Sequence, residues 1–202
     1  MEYDLSQLSA QEGYRLLTGV VVPRPIAWVS TLGEEGTINV APFSFFNILG
    51  SDPPTIGIGV GNRKDGSPKD TAANILRSGE FVVNLVDEAN AEAMNVTAIE
   101  FPPGISELTE AGLTAAPSVR VTAPRIAEAK VCLECRLFQV VANGNNRILI
   151  ATVEHVHVRE GETPETFRFI GRTDGPGGYV RTRDRFEIAR IRWTDWRGRS
   201  EN

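Results

Sequence analysis

The sequence predicts a mainly β domain, a β-barrel with a few attached helices, carried by 202 residues. Three observations predict it. Most of the chain reads as short runs rich in Val, Ile, Thr and aromatics, punctuated by Gly and Pro. Helical patterns are few, and they do not alternate regularly with strands as a doubly wound parallel sheet requires. Two long β-patterned runs also stand back to back across an Asn-Gly turn. No internal repeat or low-complexity linker divides the chain. One domain spans 1–202, with a core at about residues 14–160 and an arginine-rich C-terminal extension at about 161–202.

Ser9-x-x-Glu12 reads as a capping box, with Gly19 as the stop, so a short helix opens the chain. The texture turns to β from Val20. Pro23 and Pro25 cannot sit inside a hydrogen-bonded central ladder, so the first strand starts near Ile26. Gly33-Glu34-Glu35-Gly36 offers a turn into the segment INVAPFSFFNI, and Pro53-Pro54 precedes the glycine-laced strand TIGIGVG. Next comes a helix with Ser67 at the N-cap, Pro68 at the first helical position and Asp70 completing an S-x-x-D box. Ala72, Ile75 and Leu76 form its apolar stripe and Gly79 its stop. Phe81 to Val86 is a buried-strand pattern, and residues 87–118 read as short helices and loops broken at 102–104. The hairpin pairs Lys130–Val141 with Arg147–Arg159, with Val131, Leu133, Cys135 and Leu137 on one face and Glu134 and Arg136 on the other. A glycine turn at 175–178 and a basic tail close the chain.

Composition excludes several function classes. The net charge of −5 disfavours general nucleic-acid binding, which needs a net basic face. The start MEYDLSQ has neither a basic n-region nor an apolar h-region, and no run approaches membrane-spanning length. With two cysteines and no such signal, the expectation is a reduced cytoplasmic protein without disulfides.

The strongest chemical candidate is the helix start at 67–74. A helix N-terminus presents unpaired N–H groups and partial positive charge, which suits phosphate. Lys69 adds a charge, Thr71 a hydroxyl, and Arg63 and Lys64 lie just upstream. The same pattern also describes an ordinary capped surface helix. Gly57-x-Gly59-x-Gly61 fits neither a dinucleotide fingerprint nor a Walker loop, and reads as a strand that admits a close neighbour, backbone or flat ligand. The run from Pro42 to Asn47 suits either a planar heterocycle or a phenylalanine-rich core. Cys132 and Cys135, three apart on a strand, point to opposite faces and cannot chelate one ion. His155 and His157 share a face but lack further ligands, so no metal site is expected. No G-x-S-x-G elbow is present. The tail from Arg181 to Arg199 holds seven arginines, suited to nucleic acid, a subunit contact or a ligand. Spacing alone therefore gives a β-rich domain with one possible phosphate-binding helix end, and no reaction.

Across most of its length the sequence resembles the flavin reductase-like family of FMN-binding split-barrel proteins, which includes the flavoredoxins. The resemblance runs through Arg24 to Thr31, Asn39 to Asn47 ahead of Pro53-Pro54, Lys69-Asp70-Thr71 with Asn74, and Glu80 to Asn84. It continues through Ala111 to Thr114, Leu133 to Cys135, and Gly171-Arg172 followed by Gly177-Gly178-Tyr179. In this chain the stretch after Arg172 is longer and more polar than the family's compact glycine turn. The resemblance implies a Greek-key split barrel that forms a homodimer with FMN at the subunit interface. It implies that Trp28, Val29, Ser30 and Thr31, with Ser44, Phe45, Phe46 and Asn47, flank the isoalloxazine and ribityl chain. Lys69, Asp70 and Thr71 would take the phosphate. No side chain need act as a catalytic base, because the flavin carries the chemistry. The implied activity is an NAD(P)H:flavin reductase, with NAD(P)H as transient reductant and a partner monooxygenase or other electron acceptor downstream. A flavoredoxin-type electron-transfer protein, or a flavin-binding module without turnover, would need the same pocket.

Overall fold

The computed structural model describes residues 1–102, 104–174, 177–183, 188 and 190. Strands form where branched residues concentrate. In chain order they are β1 (Ala27–Leu32), β2 (Ile38–Phe43), β3 (Phe46–Ser51), β4 (Pro54–Gly61), β5 (Glu80–Leu85), β6 (Ala115–Ala116) and β7 (Arg125–Ile126). Then follow β8 (Val131–Asn143), β9 (Asn146–Val158), β10 (Ile170–Arg172) and β11 (Tyr179–Arg181). The helices are α1 (Ala10–Val20), α2 (Asp70–Ser78), α3 (Ala91–Val96) and α4 (Glu107–Glu110). No described helix is long and apolar enough to cross a membrane.

Seven strands form one antiparallel sheet in the order β2-β1-β5-β8-β9-β4-β3. The edge strands β2 and β3 are consecutive in sequence, separated only by Ser44 and Phe45. Opposite edges joined by so short a corner must come together, so the sheet curls into a barrel left open between them. The Gly59 N–H donates to the Phe45 carbonyl at 2.7 Å and fastens that corner onto β4. INVAPFSFFNI, which reads as one piece, is thus two strands at the two ends of the sheet. The glycines of β4 serve the same closure. A Cβ at Gly57 would lie 2.7 Å from Leu49 Cδ1, and one at Gly59 would lie 3.0 Å from Phe45 Cβ. Their close neighbours are side chains of β3 and the corner.

Two apolar clusters lie on the two faces of this sheet. Ala27, Val29, Ile56, Ile58, Phe81, Val83, Cys135 and Leu149 fill the barrel, and Ala72 and Ile75 of α2 join them. Trp28, Val40, Val82, Met94, Ile126 and Cys132 pack outside, under α3, α4 and the 117–129 segment. Strands buried on both faces lose the polar alternation, which is why Phe81 to Val86 reads as an apolar run broken only by Asn84. The two cysteines fall in different clusters as free thiols.

Local signals set the helix ends with two exceptions. The Ser9–Glu12 capping box forms, but α1 runs through Gly19 and ends at Val20. The α2 helix starts at Asp70 with Lys69 as an N-cap that makes no side-chain cap bond, so Ser67 and Pro68 precede it. Ser67 instead engages Asp65, whose Oδ1 accepts both its N–H at 2.9 Å and its hydroxyl at 2.6 Å. A local turn of this kind competes directly with capping. Gly79 ends α2 at φ 72°, as its position suggests. The hairpin is tighter than expected, with only Gly144 and Asn145 between β8 and β9. Residues 175–176, and most of the arginine-rich tail beyond 183, lie outside the described residues.

Candidate functional site

The uncapped start of α2 is the positive end of a nine-residue helix, and Arg63 and Lys69 stand beside it. Arg63 Nη2 lies 2.7 Å from Asp70 Oδ2 and its Nη1 donates to the Pro68 carbonyl. Lys69 Nζ meets Glu100 at 3.1 Å. These are exposed ion pairs, worth only about 0–1 kcal/mol each, so an incoming phosphate competes with them easily. The helix end opens into a cleft of about 330 Å³ between β2 and the 97–101 segment, with Pro42 and Phe43 as an apolar wall and Glu107 among its lining.

A buried polar network underlies the cleft. Thr71 Oγ1 donates to Asn39 Oδ1 at 2.8 Å, and Asn39 Nδ2 donates to Glu107 Oε1 at 2.8 Å. Glu107 Oε2 accepts the Val40 N–H at 3.0 Å, and Asn74 Nδ2 donates to Thr31 Oγ1 at 3.0 Å. This network ties α2 to β1, β2 and α4, which fixes the helix end against the barrel wall. Burial pushes the Glu107 carboxyl above its ordinary range, against hydrogen bonds from the backbone and from Asn39 that favour its ionised form.

The expected site residues separate in space. Lys69, Asp70 and Thr71 come together at the cleft. Ser44 lines a neighbouring hollow of about 230 Å³ with Tyr14, Arg172 and Tyr179, and that hollow shares Pro42, Phe43 and Ala98 with the cleft. Phe45 is exposed at the corner, its ring 6.1 Å from Tyr14, and Asn47 is exposed on β3. Phe46 packs against the barrel core. Trp28, Val29, Ser30 and Thr31 are fully buried. Trp28 Nε1 donates to Thr97 Oγ1 at 2.9 Å, and Ser30 Oγ donates to the Pro124 carbonyl at 2.6 Å. Glu107 and the 97–101 segment are the parts that sequence reasoning missed. They reach the cleft from the start of α4 and from the turn after α3, elements too short to show a periodicity that would announce them.

The remaining motifs resolve as structure. Among the described residues no group of three or more His, Cys, Asp or Glu is placed to hold a metal ion. His155 and His157 meet edge to face at 4.6 Å, and His157 pairs with the buried Glu134. Desolvation raises the Cys132 thiol to about 11 and pushes Cys135 up as well, which leaves neither reactive.

Residues 19–183 match the flavin reductase like domain. The chain belongs to the flavin reductase-like family. An uncharacterized protein of Deinococcus radiodurans is 42% identical over 207 residues, spanning 96% of this chain and 91% of its own. The crystal structure of nitrilotriacetate monooxygenase component B from Bacillus cereus superposes with a TM-score of 0.87 at 33% identity, covering 93% of this chain and 98% of that one. Pseudomonas fluorescens 2-nitrobenzoate 2-nitroreductase NbaA gives 0.87 at 34% identity over 96% and 98%. A putative flavin reductase with a split barrel domain from Shewanella frigidimarina shares the fold, with a TM-score of 0.77 at 18% identity over 96% and 99%. The curled sheet is therefore a split barrel of the flavin reductase type.

Proposed function

We propose that this chain is an FMN-binding flavin reductase that takes hydride from NAD(P)H. The observation that carries this reading is the uncapped N-terminus of α2, flanked by Arg63 and Lys69 and opening into an apolar-walled cleft. On this reading a phosphate sits at the helix end and a flat ring along the cleft, and membership of the flavin reductase-like family supports a flavin as that ring. FMN held in this cleft would supply the hydride and electron-transfer chemistry, with no side chain needed as a catalytic base. The chain's own residues bind, orient and shield. The N–H groups of the first α2 turn and the Lys69 ammonium hold the phosphate in place of the Glu100 carboxylate. Pro42 and Phe43 exclude water from one side of the cleft. Trp28, Val29, Ser30 and Thr31 support the site from beneath as rigid barrel wall, while Ser44, Phe45, Phe46 and Asn47 form the corner next to it.

A homodimer with flavin at the subunit interface fits this arrangement. Phe45 is exposed at the corner with its ring 6.1 Å from Tyr14 of α1, and Ile48 and Leu49 of β3 and Leu17 of α1 are exposed as well. A partner monooxygenase as electron acceptor is suggested by the similar structure from Bacillus cereus, which is component B of such a system. A cytoplasmic location fits two buried free thiols.

Activity is tested by loading the purified protein with FMN and mixing it anaerobically with NADH and with NADPH. Rapid bleaching of the visible flavin band by at least one nucleotide is expected. A protein that stays yellow with both would sink the reductase reading.

A further inference from the structure

We propose that Glu107 takes up a proton from solvent when a flavin phosphate enters the cleft. The proposal rests on the function proposed above, since it needs that phosphate at the start of α2. The cleft is short of positive charge. Its described lining holds two cations, Arg63 and Lys69, against three carboxylates, Asp70, Glu100 and Glu107. A phosphate monoester brings a further charge of about −1.5 to −2 at neutral pH. Crowded like charges disfavour the ionised form, most of all at the carboxylate that water reaches least.

Glu107 is that carboxylate. The Asp70 and Glu100 side chains are 60% and 86% exposed, and each has a cation beside it, Arg63 at 2.7 Å and Lys69 at 3.1 Å. Glu107 is only 8% exposed. Its oxygens meet neutral donors instead, Asn39 Nδ2 at 2.8 Å and the Val40 N–H at 3.0 Å. Burial, with the charge of Asp70 added to it, already pushes this carboxyl upward. Glu34 and Glu35 of the β1–β2 turn, both exposed, line the adjoining hollow with it and add negative charge from the other side. The helix start is one amide away: Asn39 donates to Glu107 and accepts from the Thr71 hydroxyl in the first turn of α2. The carboxylate also has room for a proton. It offers about four lone-pair sites, which Asn39, Val40 and its own backbone N–H do not exhaust. Protonation therefore keeps the link to Asn39 and Thr71 while it removes one negative charge from the cleft.

The test is calorimetric titration of the full chain with FMN and with riboflavin near pH 6.5, in two buffers of different ionisation enthalpy, whose difference in heat counts protons. FMN is expected to draw in about half a proton or more per flavin bound, and riboflavin none. A phosphate that merely shed its own second proton on binding would release protons, the opposite sign. Glu107→Gln is expected to abolish the uptake, with far-UV circular dichroism confirming the fold. By linkage, wild-type affinity for FMN should rise about threefold or more from about pH 7.5 to about pH 6.5, and that of Glu107→Gln should not. If Glu107→Gln does not fold, Asp70→Asn and Glu100→Gln, both at exposed positions, carry the test, and the uptake must survive in each. No uptake with FMN, equal uptake with riboflavin, uptake that persists in Glu107→Gln, or uptake lost with Asp70 or Glu100 would overturn the proposal. FMN binding without uptake removes the proton and leaves the flavin reading standing. No FMN binding at all removes the flavin reading, and the proton with it.

Discussion

Replacing Glu134 with alanine is expected to destabilise the protein by about 3–5 kcal/mol, because it removes a buried carboxylate that several donors share and leaves them without an acceptor. The Glu134 side chain has no solvent exposure. Its oxygens accept the N–H groups of Val119 at 2.8 Å, Arg120 at 2.5 Å and Val121 at 3.2 Å, and His157 Nε2 lies 2.5 Å away. Removing the carboxylate orphans three consecutive backbone donors and one imidazole, and each buried orphan is costly. The loop it anchors also bears Pro124 and Ile126, which bond Ser30 and Asn84 of the central strands. Equilibrium urea denaturation reads the loss directly. Acid should erase much of the difference. Burial alone would raise this carboxyl, but the hydrogen bonds from His157, Val119 and Arg120 outweigh it and hold the group below its ordinary value of 4.5. A carboxylate lowered in the folded state stabilises the fold above that ordinary value. The contribution is lost as pH falls below 4.5 and through the folded-state value. The stability gap between wild type and Glu134→Ala should therefore be full at neutral pH and narrow steadily below pH 4.5. A gap of under 1 kcal/mol at pH 7, or one that widens in acid, would contradict the anchoring role.

Trp28→Ala is expected to cost about 3–5 kcal/mol, the usual loss for a buried large aromatic. The indole has no solvent exposure and packs with Val40, Val82 and Met94 outside the sheet, while Nε1 reaches Thr97. Trp28→Phe keeps most of that packing and should cost about 1 kcal/mol for the lost hydrogen bond. Thr97 keeps a partner in either variant, since its hydroxyl donates to the Met94 carbonyl at 2.7 Å. Denaturation of the flavin-free protein separates packing from ligand contact. If Trp28→Ala lost FMN affinity but no stability, the indole would be serving the flavin rather than the core.

Local features of the fold were legible in the sequence because neighbours in the chain decide them. The Ser9–Glu12 box, the entry to β1 just after Pro25, the Gly79 stop and the 130–159 hairpin all follow from contacts within a few residues. Ser67 shows how even a local signal fails: Asp65, two residues back, captures the hydroxyl that the helix would have used. What sequence pattern missed depends on distant chain. The split of INVAPFSFFNI into two edge strands is decided by barrel closure against β4. Glu134 was placed on the correct face, yet its burial depends on the 119–121 loop folding over it. At the site, Lys69, Asp70 and Thr71 could be read from their helix start. Asn39 lay within the family resemblance, but its link to Glu107 spans 68 residues, and no spacing rule connects them.

The most direct measurement is the affinity for FMN of wild-type protein and of Lys69→Ala, titrated by quenching of flavin fluorescence. Lys69 is half-buried and its side chain pairs only with Glu100 among the contacts described, so its truncation should leave the fold intact. Wild type should bind FMN with one flavin per chain. The variant should bind it more weakly by about 1.5–3 kcal/mol, a loss of roughly 10- to 150-fold, the worth of a charge-assisted phosphate contact. No FMN binding by wild type, or equal affinity in the two proteins, would contradict a flavin phosphate held at the start of α2.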